Sequence, residues 1–170
     1  MSRRMINHPR PTLLLSGFSL IEALVAMVVI AIGLLGLAAM VTAGLRSNQV
    51  ANLQSLAAID AGNIAALMSA NPAGVAAGNY VITSLPTSPP PNLCQSAATP
   101  CSPAEEAQAD LWGFAQNLES NLPDPAAQIQ CAVACSSTTD APMVITITWT
   151  SQSPDGRAMA TANYSTVYQP

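Results

Sequence analysis

The chain contains no lysine: all five basic residues are arginines, and Arg3, Arg4 and Arg10 fall among the first ten positions. Its one histidine, His8, lies in the same short stretch. A Ser–His or Cys–His catalytic pair in the remainder is thereby excluded. No HExxH sequence and no Gly-rich phosphate loop occurs. The acids are scattered except for Glu105 and Glu106, whose place at a predicted helix start is explained by the helix dipole. We therefore expect no enzyme activity, no cofactor and no metal. Charge is scarce as well, at 8% of residues, and aromatics make up only 4%. A chain so poor in large rings has a modest soluble core. Beyond residue 17, Arg46 and Arg157 stand against all nine acids. That balance cannot neutralise a phosphate backbone, which argues against nucleic-acid binding.

Two further absences organise what remains. No charge occurs between Glu22 and Arg46, which leaves 23 uncharged and mostly aliphatic residues. As a helix, such a run crosses the roughly 30 Å hydrocarbon core of a bilayer. No proline occurs from residue 18 to residue 70, so the helix is expected to continue past the span. Val50, Leu53, Leu56, Ala57, Ile64, Leu67 and Met68 keep to one stripe at 100° per residue. Three arginines before the span and Arg46 alone after it set the N-terminus on the cytoplasmic side. A secretory signal also has a basic start and an apolar core, but its core is only about 7–15 residues long and its cut follows that core. Glu22 near the start of the run is expensive in lipid and is read as functional.

The order of a basic leader, Gly17, then Phe18-Ser19-Leu20-Ile21-Glu22 and a long apolar helix resembles the type IV prepilins. The resemblance implies cleavage by a prepilin peptidase between Gly17 and Phe18, and N-methylation of the new amine on Phe18. It assigns Glu22 to axial register during assembly. Further pieces are similar to the PilV family of minor pilins (type IV pilus modification proteins). They are AIGLLGLA from residue 31, Met68-Ser69-Ala70-Asn71-Pro72, Gly78-Asn79-Tyr80, Cys101-Ser102-Pro103-Ala104-Glu105 and Asp110-Leu111-Trp112. The implied partners are the major pilin, other minor pilins, prepilin peptidase and inner-membrane assembly proteins. The implied roles are priming of pilus assembly, adhesion and twitching motility, with the protein held in the inner membrane by a single span. Two alternatives share parts of this pattern: a minor pseudopilin of a type II secretion system, and a single-pass anchored periplasmic domain that never polymerises.

The expected divisions are a leader over 1–17, a spine helix over 18–70 and an exterior head over 71–170. Asn71-Pro72-Ala73-Gly74 ends the spine. Residues 84–101 hold five prolines in 18 positions and read as an extended surface connector. Ser102-Pro103-Ala104-Glu105 has the composition of a capping box with proline at the first helical position, and Leu111, Phe114, Ala115 and Leu118 give the helix an apolar face. Residues 144–150 alternate apolar residues with threonine, as a half-buried strand does. A turn at 153–156 and a second strand over 158–168 follow, and a third strand is expected at 80–82. The fold class is thus α+β, a long N-terminal helical spine with a small head of one short helix and an antiparallel sheet.

All four cysteines, Cys94, Cys101, Cys131 and Cys135, fall in the head, where an oxidising compartment favours disulfides. Their spacings fit common zinc modules poorly. Three pairings exist for four cysteines, and the local one, Cys94–Cys101 with Cys131–Cys135, is expected. Asp60 falls on the helical stripe and should face the head. A buried carboxylate needs a hydrogen bond or a cation. A rim position hydrogen-bonded to backbone or water is the first reading, and pairing with Arg157, the only other cation of the head beyond Arg46, is the alternative.

Overall fold

The computed structural model describes residues 17, 19–95, 100–132, 142–153 and 158–170. Its first element, α1, is a single helix over Leu20–Ala70, uninterrupted because no proline removes an N–H within it. The chain divides into two units, Met1–Thr42 and Ala43–Pro170. The first contains the apolar part of α1, whose side chains are exposed on every side; Leu20 is 85% and Met40 74% accessible. A helix apolar all round, with no protein over it, has no preferred face toward water.

The second unit begins within α1, where the pattern becomes one-sided. Ala57, Asp60, Ala61, Ile64 and Met68 are buried, spaced three and four apart, while Leu67 lies on the rim at 40% exposure. Two short helical steps follow: α2 over Pro72–Ala76 and α3 over Pro103–Asn121. Proline at the first position and the reciprocal Ser102–Glu105 capping box start α3 as the sequence predicts. Its buried face is Ala107, Leu111, Phe114, Ala115 and Leu118, whereas Trp112 is only half-buried.

Three strands complete the head: β1 over Ala126–Cys131, β2 over Met143–Gln152 and β3 over Met159–Tyr168. They form one antiparallel sheet in the order β1-β2-β3. The register places Ile147 of β2 opposite Ala127 of β1 and Tyr164 of β3. Residues opposite each other share a face, so the inward set Met143, Ile145, Ile147 and Trp149 meets the buried side chains of α1 and α3 in one core. The expected α+β arrangement is what is found.

Three local expectations are corrected. The strand expected at 80–82 is a single bridge, in which Ile82 and Ile129 exchange both N–H···O bonds at 3.0 Å. Tyr80 belongs instead to a turn opened by Gly78, whose φ of +74° is the left-handed conformation glycine tolerates. The third strand is instead β1, in a stretch where no strand is expected, because Ala127 and Ile129 alone are too short an alternation to stand out. Pro72 not only follows the end of α1 but also opens α2, with Asn71 as its cap. The turn expected at 153–156 lies largely outside the described residues, although Ser153 N–H bonds to the Ala158 carbonyl at 2.8 Å across it.

Trp149 has its indole N–H buried without an acceptor among the described residues, a local cost of about 1–3 kcal/mol set against burial of the ring. If the sheet–helix core holds the head together, Ile145→Ala should lower stability by about 2–5 kcal/mol. The denaturant midpoint of the detergent-solubilised chain, followed by tryptophan fluorescence, measures this. A midpoint equal to that of the parent would contradict the packing described.

Candidate assembly segment and head junction

Two places in the chain combine several of the residues singled out above. The first is the start of α1. Ser19 is not helical, and its carbonyl accepts the N–H groups of Glu22 at 3.0 Å and Ala23 at 3.2 Å. Helical geometry therefore begins at Leu20, two positions before Glu22. The Glu22 carboxylate sits in the first turn, where the unpaired N–H groups of the helix favour a negative charge. Gly17 is exposed, and nothing lies within 4 Å of the position a Cβ would take there. Phe18 and the basic leader lie outside the described residues. The run that follows Glu22 is long and apolar enough to cross a membrane by length and composition, and none of it is covered by the other described residues.

The second place is the junction where α1 ends. Asn71 uses its side chain in three directions: Oδ1 accepts the N–H of Gly74 at 3.0 Å, and Nδ2 donates to the Pro103 carbonyl at 2.8 Å and to the Tyr80 hydroxyl at 3.3 Å. A side chain on Gly74 would meet the Asn71 amide at 2.5 Å, so that glycine is needed for the cap to close. The Tyr80 hydroxyl, buried, in turn donates to Asp110 Oδ2 at 2.5 Å. Burial of the phenol, and then the neighbouring Asp110 carboxylate, raise the Tyr80 pKa well above its ordinary value. One amide and one phenol thus link the end of α1, α2, the Gly78 turn and both the first residue and the middle of α3. Three fragments noted in the sequence, Asn71-Pro72, Asn79-Tyr80 and Asp110-Leu111, meet here. Their separation along the chain hid the connection, and only the polar residues next to turn signals hinted at it.

A smaller network fixes the proline-rich connector. Cys94 and Cys101 are joined by a disulfide with 5.8 Å between their Cα atoms. Closing so short a loop stabilises the fold by about 2–3 kcal/mol in the chain-entropy account. Asn92 accepts the Cys94 N–H at 3.1 Å and donates toward Glu105 at 3.5 Å. The Glu105 carboxylate also accepts from the backbone N–H and the hydroxyl of Ser102, which hold its pKa below the ordinary range. Cys131 is disulfide-bonded as well; its expected partner, Cys135, lies outside the described residues. Asp60 is buried and accepts a hydrogen bond from Asn121 Nδ2 at 3.1 Å. The cation of the alternative reading, Arg157, also lies outside the described residues. Among those described, no three His, Cys, Asp or Glu side chains come together in a way that could hold a metal ion.

The junction makes a pH-dependent prediction. The folded chain holds the Tyr80 proton more tightly than the unfolded chain does, so this stabilisation is complete below the ordinary tyrosine value of 10.0. It is lost as pH rises beyond that value, at up to about 1.4 kcal/mol per pH unit. Tyr80→Phe should cost about 1–3 kcal/mol at neutral pH and flatten the alkaline loss of stability. Denaturant midpoints at several pH values test this, and an unchanged alkaline slope in the variant would remove Tyr80 as its source.

Residues 16–38 match the family model of the prokaryotic N-terminal methylation motif. The match takes in Gly17, Phe18 and Glu22 together with the apolar run as far as residue 38, and it supports a type IV pilin-like family. No curated protein and no solved structure matches the chain.

Proposed function

We propose that the chain is a minor pilin of the PilV type, a non-enzymatic subunit that enters or primes a type IV pilus. The observation that carries this reading is a coincidence at one end of the molecule. The methylation motif over residues 16–38 runs into a helix whose apolar side chains the other described residues leave uncovered. Before assembly, lipid would cover them. After assembly, the corresponding helices of neighbouring subunits would do so. With the arginines of the leader held in the cytoplasm, the head faces the periplasm and the prepilin peptidase reaches Gly17 from the inner side. The pieces of sequence shared with PilV-type proteins favour a pilus over a secretion pseudopilus. The head junction built from those same pieces then serves to hold a fixed surface against the other pilins.

Glu22 carries the mechanism. Cleavage after Gly17 creates an ammonium on Phe18, four residues before Glu22 in the sequence. When a subunit enters the assembly, its Glu22 meets the ammonium of a neighbour. A slip of register leaves two charges unpaired in a medium of low dielectric, at a cost of several kcal/mol. Glu22→Ala should therefore still be cut after Gly17 but fall at least about tenfold in sheared pili, since each 1.4 kcal/mol is a factor of ten. Gly17→Ala should remain uncut. Recovery of the Glu22→Ala chain in pili at the parent level would remove the register role.

A further inference from the structure

We propose that the second unit holds the phosphodiester headgroup of a membrane phospholipid in a site built on Arg46. Arg46 is the first charge after the uncharged run, and the only lysine or arginine among the described residues. No carboxylate among them pairs with it. Beside it opens a cavity of about 390 Å³, whose polar lining is Arg46, Ser47, Gln54 and Ser153, with Val50 and Ala51 on its apolar wall. A guanidinium, two hydroxyls and a side-chain amide are donors suited to an anion, and among the described residues no acid lines the cavity. The planar fork of arginine fits two oxygens of one phosphate. Ser47 and Gln54 come from α1 and Ser153 follows the end of β2, so α1 and the sheet end contribute donors to the same space.

The source of the phosphate follows from the sequence, and here the inference rests on residues 23–45 being a membrane span. A helix of that length fills the hydrocarbon layer of roughly 30 Å and brings the residues after it to the level of the headgroups. A bilayer presents phosphodiesters at that depth, and the other described charges of the head are acids that attract no anion.

The test uses the full chain in vesicles of phosphatidylethanolamine and phosphatidylglycerol, extracted gently and weighed by native mass spectrometry. The parent should retain a phospholipid, and Arg46→Gln should retain about fivefold less, the effect expected of one basic residue at a membrane surface. Ser153→Ala should fall between them, and both variants should enter the vesicles as the parent does. Millimolar inorganic phosphate should not strip the lipid. Equal retention by parent and Arg46→Gln would overturn the site while leaving the span intact. Displacement by inorganic phosphate would overturn its assignment to lipid. Loss of self-association in Arg46→Gln without loss of lipid would give the arginine to a carboxylate of a second copy instead. A parent chain that never enters the vesicles would sink the span and the site together.

Discussion

One helix in this protein has to satisfy two solvents. Over its first part α1 is apolar on every side and is covered by no other described residue. Further on, the same helix narrows to a stripe of Ala57, Ala61, Ile64 and Met68 that is covered by α3 and the sheet. Each apolar side chain taken from water contributes about 1.5–3 kcal/mol. The uncovered part is therefore unstable in water and requires lipid or other helices around it. The covered part is stable only while the head remains closed over it.

What keeps the head in place at the end of α1 is polar. Asn71 occupies the position where α1 stops, and its amide reaches α2, the Tyr80 hydroxyl and the first carbonyl of α3. A buried amide or phenol without partners would cost about 1–3 kcal/mol, so the arrangement is specific: moving any of these elements strands a polar group. The apolar core alone would tolerate small slips, because Ala and Ile surfaces carry no directional demand. The junction supplies that demand. It lets a head poor in aromatics and charges present one defined surface.

The sequence disclosed the features that depend on neighbours along the chain. The apolar run, the absence of proline, the stripe on α1, the capping box at Ser102 and Glu105, and the alternation in β2 are all local patterns, and the structure carries each of them. Asp60 could be placed in the head from its helical phase alone, though its contact with Asn121 could not, since a side chain 61 residues away supplies it. β1 escaped notice because its inward residues are Ala127 and Ile129 between glutamines, too weak a pattern until β2 supplies the pairing. The Asn71, Tyr80 and Asp110 contacts escaped for a related reason. Polar residues near turns are common, and only the close packing of α2 against α3 shows that these three converge. At the N-terminus, Gly17, Phe18 and Glu22 were legible from their order alone, because the motif is a linear pattern of neighbouring residues.

A pilin-like chain would be cut and methylated at that motif and retained by the helix behind it. The most direct measurement is the mass and sequence of the N-terminal peptide of the protein taken from the membrane or pilus fraction of cells that produce it with a prepilin peptidase. The peptide should begin at Phe18 and be one methyl group heavier than its sequence. A chain that still carries residues 1–17, or one cut beyond the apolar run as a secretory signal would be, would contradict that expectation.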